Sequence, residues 1–168
     1  YGDIGRRVAA SLPNQEFIGV SRSAPSNLDN VTFIEQDWIN QSSLTLPSSD
    51  FSTIVMILKP TSPDSGGYQR GLLDASYQIM DFFNNNISYE KLLIVTSTRV
   101  YGLSNGRDIA EAVKPVPDDE QARIILEYEE FVSRKSKVEP LILRPSGLYD
   151  ERSHWMRNHV NTFDGKKY

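Results

Sequence analysis

The sequence LLIVTSTRVYG at positions 92–102 gives the clearest indication of the fold. Its apolar residues, Leu92–Val95, are followed at once by hydroxyl-bearing and charged side chains. The apolar run does not alternate with polar residues, which is typical of a strand covered on both faces of a parallel sheet. We therefore expect a buried strand at this point, with polar groups at its carboxyl end.

Predicted strands and helices alternate along most of the chain. Apolar runs bounded by polar residues predict further strands at 16–23, 30–38, 51–60 and 139–147. Apolar residues at helical spacing predict helices at 3–12, from Tyr68 to the asparagines at 84–86, and at 119–135. This order predicts an α/β fold with a mostly parallel sheet.

Composition excludes several classes of protein. The chain has 168 residues, enough for one domain, and a formal net charge of -4, which argues against non-specific binding to nucleic acid. It has no cysteine, so disulfides and thiolate chemistry are absent. No apolar run approaches the roughly 20 residues that cross a bilayer. We expect a cytoplasmic protein without nucleic-acid or membrane partners.

A glycine-containing turn runs into the first predicted helix. Gly2 and Gly5 have the spacing of the last two glycines in G-x-G-x-x-G. In that motif the backbone approaches a pyrophosphate at a helix N-terminus. Two glycines also occur in ordinary turns, so both interpretations stay open.

Arg22 stands at the end of the strand that follows this helix. Enzymes that use NAD often carry an acidic side chain here, which holds the ribose 2′-hydroxyl. The segment VSRSAPS at 20–26 has no carboxylate, and a planar guanidinium can pair with a 2′-phosphate. The segment favours NADP over NAD, and the alternative is a solvated surface arginine.

Several segments together resemble the extended short-chain dehydrogenases/reductases, the NAD(P)-dependent sugar epimerase/dehydratase family. TSTRVYG at 96–102 is similar to the family's SS-x-x-VYG, and LRPSGLY at 143–149 to its LRP-x-G-x-YGPGR. EQDW at 35–38 resembles the acidic site that contacts adenine. MILKP at 56–60 stands where the family's fourth strand approaches the cofactor. The resemblance covers most of the chain.

The resemblance implies a Rossmann-like, doubly wound sheet whose first strand is central. We expect that strand to precede Tyr1, and a substrate-binding part to begin within 149–168. Dinucleotide contacts are implied for Gly2, Asp3, Ile4, Gly5, Arg22, Asp37, Trp38, Leu58, Lys59, Pro60 and Pro145. The implied catalytic set is Ser97, which orients the substrate oxygen, with Thr98 beside it and Tyr101 lining the site.

The chain departs from the family at its Tyr-x-x-x-Lys pair. In the family the tyrosine acts as general acid and base, with its pKa lowered by the lysine ammonium and the nicotinamide charge. No tyrosine at 119–135 has a lysine four residues later. Arg123 or Ile125 occupies the lysine position, depending on register, and Tyr128 is expected to be a packing residue.

Two functions follow from these observations. One is an NADP-linked oxidoreductase or epimerase that acts on a small hydroxylated molecule such as a nucleotide sugar, with NAD the less favoured cofactor. The other is a non-catalytic NADP-binding regulatory or scaffold protein of the same fold. We also expect a homodimer through helices that carry Phe82 and Phe83. No metal site is expected, because His154 and His159 are poorly spaced and lack nearby carboxylates.

Overall fold

The structure, a computed structural model, describes residues 2–23, 28–40, 44–102 and 108–148. The strands are β1 (Phe17–Ser21), β2 (Val31–Glu35), β3 (Asp50–Met56), β4 (Ser88–Val95) and β5 (Leu141–Leu143). The helices are α1 (Asp3–Ser11), α2 (Ser65–Tyr68), α3 (Ala75–Asn86) and α4 (Glu120–Lys135). A π-helical turn, Gln69–Asp74, joins α2 to α3, and a 3₁₀ turn, Thr98–Tyr101, follows β4.

The α/β order and the parallel pairing predicted from the sequence are confirmed. β1 pairs with β2, and β3, β4 and β5 pair in that order, with every pair parallel. Within the described residues the strands form these two sheets and not one continuous sheet. The expected central strand is not tested by the described part of the chain and stays a prediction.

The main core lies between the three-stranded sheet and the helices that follow β3 and β4. Met56, Leu92 and Ile94 bury their side chains on one face of this sheet. They belong to the same apolar cluster as Met80 of α3 and Val132 of α4. Each large apolar side chain buried in this way contributes about 1.5–3 kcal/mol, so this layer carries most of the described hydrophobic stabilisation.

The opposite face of the same sheet is open among the described residues. Val55 of β3 is opposite Leu93 of β4, which is opposite Leu141 of β5. Val55 is 43% exposed and Leu141 is 59% exposed. The expectation that the apolar runs of β3 and β4 are covered on both faces is wrong at Val55 within the described part of the chain, whereas Leu93 is half-buried. The reason is that the core residues of α3 and α4 pack with the other face.

The N-terminal elements form a smaller layer. Ala9 is the buried residue of α1, and the Asn30 carboxamide donates to the carbonyl oxygens of Ala9 and Leu12 at 3.0 and 3.1 Å. These two bonds satisfy carbonyl groups at the C-terminal end of α1. Trp38 and Leu44, which follow β2, pack against the main core and so connect the two layers.

The apolar residues considered for a dimer interface pack within the chain. Phe83 is buried in the core, and Phe82 is partly buried against it. The homodimer stays a prediction, but these two side chains do not form a free apolar patch. None of the helices in the described ranges is both long and apolar enough to cross a membrane.

Candidate functional site

The predicted catalytic segment and Pro145 come together because β4 and β5 are parallel. Carboxyl ends of parallel strands meet at one edge of a sheet, where α/β proteins bind ligands. Val95 of β4 is opposite Leu143 of β5, so Ser97 and Pro145 follow side by side. The Thr98 N–H donates to the Pro145 carbonyl oxygen at 3.2 Å. The predicted catalytic and cofactor segments therefore touch at this edge.

Ser97 begins the 3₁₀ turn as its N-cap residue. Its Oγ accepts a hydrogen bond from the Arg99 N–H at 3.2 Å, and its backbone is extended. Because the hydroxyl accepts from the protein, its own proton can be donated to a ligand oxygen. Ser97 and Thr98 are half-buried, as suits side chains that line a site.

Tyr101 ends the same turn and contacts a buried ion pair. Arg144 Nη1 donates to Tyr101 Oη at 2.8 Å, and the guanidinium carbon lies 5.2 Å from the ring centroid. Arg144 also grips the Glu129 carboxylate, with Nη2 to Oε2 at 2.7 Å and Nε to each oxygen at 3.1 Å. Thr96 Oγ1 donates to Glu129 Oε1 at 2.6 Å.

Glu129 is buried, with 1% of its surface exposed. Burial of a carboxylate is costly unless it is paired and hydrogen-bonded, and here Arg144 and Thr96 satisfy both oxygens. The hydrogen bonds to Glu129 raise the pKa of Arg144, ahead of the opposing effect of its burial. The Arg144 guanidinium therefore stays protonated, and its three hydrogen bonds fix it against the Glu129 carboxylate.

A second, more exposed ion pair lies at the start of α4. Arg99 Nη2 and Nε contact Asp119 Oδ2 at 2.8 and 3.0 Å. The Arg99 guanidinium also lies over the Tyr68 ring, 5.8 Å from its centroid. Hydrogen bonds from the Ala122 N–H and from Arg99 hold the pKa of Asp119 below its usual value. Asp119 is therefore the N-cap residue of α4.

The chain after β3 lies against two glycines. A Cβ at Gly71 would lie 2.3 Å from the Lys59 carbonyl oxygen and 2.8 Å from the Pro60 Cα. A Cβ at Gly67 would lie 2.2 Å from the Ser62 carbonyl oxygen. The close approach fixes the backbone that follows Leu58, where sequence analysis places Lys59 and Pro60 in the cofactor site.

The predicted phosphate-binding turn opens α1. Gly2 is the N-cap residue, and no side chain caps the first turn. A Cβ at Gly2 would meet no described residue within 4 Å. Asp3 Oδ1 and Oδ2 bind Arg6 and Arg7 at 3.1 and 2.8 Å. The bond from Arg7, then that from Arg6, lowers the pKa of Asp3.

Ile4 and Gly5 follow in the first turn of α1 and are half-buried. A short connection leads from α1 to β1. β1 ends beside β2, with Ser21 opposite Glu35. The segments that follow, with Arg22 on one and Asp37 and Trp38 on the other, therefore lie together. This juxtaposition is the one that the sequence predicts for the adenosine end of a dinucleotide.

The Asp37 carboxylate is already engaged. Its Oδ1 accepts from the Ile39 N–H at 3.0 Å, and its Oδ2 accepts from Asn40 Nδ2 at 2.7 Å. Its pKa is lowered by the Asn40 hydrogen bond first, and in smaller part by the Arg22 charge. Asp37 therefore stabilises its own turn, and its charge partly offsets that of Arg22.

The positions considered for the family's Tyr-x-x-x-Lys pair do not place a lysine ammonium beside a tyrosine hydroxyl. Tyr128 is buried in the core, and its hydroxyl has no hydrogen-bond partner among the described residues. Burial, followed by the Glu129 charge, raises its pKa. Ile125 is buried and Arg123 is exposed. The expectation that Tyr128 packs in the core is confirmed.

Sequence reasoning missed the role of Glu129 and Arg144. A signal was present, because Glu129 lies between the buried residues Ile125, Tyr128 and Val132 on the apolar face of α4. An acid in such a position needs a cationic partner. Nothing in the sequence named Arg144 as that partner, although it stands in the quoted LRP segment.

Within the described ranges, no group of three or more His, Asp or Glu side chains could hold a metal ion. The predicted start of a substrate-binding part, 149–168, lies outside the described residues. This range includes Tyr149 of the LRPSGLY segment, His154 and His159.

Solved structures of nucleotide-sugar epimerases share the fold of this chain. UDP-glucuronic acid 4-epimerase from Bacillus cereus in complex with NAD has a TM-score of 0.68 and 17% identity, over 90% of this chain and 56% of that chain. UDP-N-acetylglucosamine 4-epimerase from Bacillus cereus has a TM-score of 0.65 and 20% identity, over 96% of this chain and 58% of that chain.

A UDP-galactose 4-epimerase has a TM-score of 0.69 and 12% identity, over 85% of this chain and 52% of that chain. The chain thus spans little more than half the length of these proteins. No protein-family model matches it, and no curated protein does. The likeness confirms the predicted Rossmann-like fold.

Proposed function

We propose that this chain is the dinucleotide-binding part of a protein of the extended short-chain dehydrogenase/reductase family, which uses a nicotinamide dinucleotide on a nucleotide sugar. One observation carries the proposal. The hydroxyls of Ser97 and Tyr101 stand at the carboxyl end of β4, and Pro145 touches that segment through the Thr98 N–H. The fold is that of epimerases, one of which was solved with NAD.

The residues present fit a dinucleotide. The uncapped start of α1 offers N–H groups to a pyrophosphate. Arg22 lies near Asp37, where an adenosine ribose would be held. When bound, the nicotinamide ring would accept or donate hydride. The Ser97 hydroxyl would donate a hydrogen bond to a substrate oxygen and hold it in place.

A non-catalytic dinucleotide-binding protein is the second candidate. Buried Ile125 and exposed Arg123 favour it, because neither supplies a lysine ammonium beside a tyrosine. Arginine is not an equivalent substitute, since its guanidinium has a different geometry and stays protonated. Turnover of nucleotide sugars separates the two candidates. Activity that survives Ser97→Ala unchanged would remove Ser97 from the mechanism, and no turnover at all would favour the second candidate.

Calorimetric titration with NADPH and NADH tests the proposal. We expect binding of both, with NADPH tighter. Arg22→Ala should weaken NADPH binding by about tenfold, as expected for the loss of one charge-assisted hydrogen bond, and should leave NADH binding nearly unchanged.

Arg134→Ala is the matched control, because Arg134 is an exposed arginine in the last turn of α4. It should change neither affinity. Binding of neither nucleotide to the full chain would contradict the proposed function. Equal loss of NADPH and NADH in Arg22→Ala would contradict the NADP preference alone.

A further inference from the structure

The hydrogen bond between Arg144 and Tyr101 has a fixed direction. An arginine guanidinium has only donors, so Tyr101 Oη is the acceptor in the 2.8 Å contact with Arg144 Nη1. A phenol that accepts from one partner keeps its proton to donate to another. Among the described residues no acceptor takes this proton from the half-buried Tyr101.

Glu129 fixes the direction from which Arg144 approaches. Three contacts of 2.7–3.1 Å join the guanidinium to the carboxylate. Glu129 itself is 1% exposed, so other protein groups surround its carboxylate. The Arg144 side chain keeps 20% of its surface exposed, and it extends from the buried carboxylate to the phenol at the site.

The same carboxylate holds the other end of the turn. Thr96 Oγ1 donates to Glu129 Oε1 at 2.6 Å, and Thr96 directly precedes Ser97. One buried carboxylate therefore fixes both ends of residues 96–101, directly through Thr96 and through Arg144 at Tyr101. The hydroxyls of Ser97 and Tyr101 both lie on this segment.

We propose that the Tyr101 hydroxyl is a hydrogen-bond donor to a hydroxyl or carbonyl oxygen of the nucleotide sugar, and that Glu129 and Arg144 are the positioning residues that orient it. The inference rests on the proposed function, and it gives the ligand a second donor beside Ser97. Arg144 does not replace the family's lysine, because Glu129 already neutralises its charge.

Binding of nucleotide sugars to the full chain, saturated with dinucleotide, tests the donor. UDP-glucose, UDP-galactose, UDP-glucuronic acid and UDP-N-acetylglucosamine are titrated by calorimetry. Tyr101→Phe removes the hydroxyl and keeps the ring, so we expect affinity for the ligand that binds to fall by about three- to tenfold, the effect of one lost hydrogen bond. Unchanged affinity would overturn the inference, as would no binding of all four sugars.

A double-mutant cycle separates positioning from general loss of structure. Glu129→Gln should weaken sugar binding in the parent chain and have little further effect in the Tyr101→Phe background. A merely structural role would give the same loss in both backgrounds and would overturn the positioning role. Glu130→Gln, the exposed neighbour on α4, is the matched control and should leave affinity unchanged.

A readout without ligand covers the case in which Glu129→Gln is too unstable to titrate. With 3-fluorotyrosine at position 101, the parent chain should show a ring held in one orientation by fluorine NMR. Arg144→Met should broaden or average that signal. An unchanged signal would overturn the positioning role. Failure of dinucleotide binding would instead contradict the proposed function. Failure of the positioning role and failure of the proposed function are therefore distinguishable.

Discussion

At the residue scale, Asp119 shows one carboxylate serving two neighbours. Its Oδ1 accepts from the Ala122 N–H at 2.7 Å and caps α4, while its Oδ2 binds Arg99. The sequence alone predicts the cap, because an acid precedes a helical pattern. It does not predict the Arg99 contact, which joins positions 20 residues apart.

Asp119→Ala should lower the free energy of unfolding by about 0.5–2 kcal/mol at neutral pH, the usual cost of a lost cap. The folded pKa of Asp119 is lowered, so its contribution is present above the unfolded value of 3.8 and is lost as pH falls through the folded pKa. Urea unfolding at several pH values checks this. The difference from the parent chain should narrow below about pH 4.

The matched control is Glu120→Ala, because Glu120 is exposed in the first turn of α4 but does not cap it. Glu120→Ala should lower the free energy of unfolding by less than Asp119→Ala does. A loss in Asp119→Ala that does not change between pH 7 and pH 3 would contradict the assignment of the stabilisation to the ionised carboxylate.

At the element scale, the π-helical turn Gln69–Asp74 is the irregular element beside the site. π turns are uncommon and often occur at functional sites. This one follows α2 and carries Gly71 against the Lys59 carbonyl oxygen. The sequence predicts a helix here but gives no sign of the extra residue in the turn.

Gly71→Ala should displace the turn or the 59–61 segment, because its Cβ would lie 2.3 Å from the Lys59 carbonyl oxygen. We expect a loss of about 1–3 kcal/mol in the free energy of unfolding. We also expect weaker dinucleotide binding in calorimetry, because Lys59 and Pro60 belong to the predicted cofactor site.

Gly66→Ala is the matched control for this helix. A Cβ at Gly66 would meet only side-chain atoms, Asp64 Oδ1 at 3.3 Å and Arg70 Nη1 at 3.4 Å. Both contacts are at least 1.0 Å longer than the 2.3 Å approach at Gly71, so the expected loss of stability is smaller. Equal stability and affinity in the two variants would show that the close approach at Gly71 has no energetic consequence.

At the scale of the whole molecule, the two sheets differ in strand pairing and in the burial of their apolar side chains. β4 is paired on both sides, and its Leu92 and Ile94 are almost fully buried. β1 and β2 pair only with each other among the described strands, and the buried residue of α1 is Ala9. Stability should therefore be concentrated in the second sheet.

Native-state hydrogen exchange checks this difference. Amide protons of Leu92 and Ile94 should exchange more slowly than that of Phe17, which donates to the Asn30 carbonyl oxygen in the first sheet, by about tenfold or more, since local opening requires less free energy where few apolar groups are buried. Equal protection in the full chain would mean that residues outside the described ranges stabilise the first sheet as strongly as the second.

The sequence predicts part of the candidate site. It predicts the features that depend on residues close in the chain and misses the contacts between distant residues. Ser97, Tyr101 and Pro145 could be placed at one edge from the sequence, since parallel strands bring their carboxyl ends together. The bonds that hold them could not, because Glu129 on α4 and Arg144 after β5 meet only in the folded chain. Untested assignments, such as NADP contacts at Arg22, remain predictions.

The sequence by itself determined the order of strands and helices, their parallel pairing and the strand ends that form the site. Each of these depends on periodicity and caps among residues close in the chain. Only the tertiary structure decided that Glu129 orients Arg144, that Gly71 meets Lys59, and that Val55 and Leu141 share a face left open by the described residues. Those contacts depend on the register of distant elements, which local patterns do not encode.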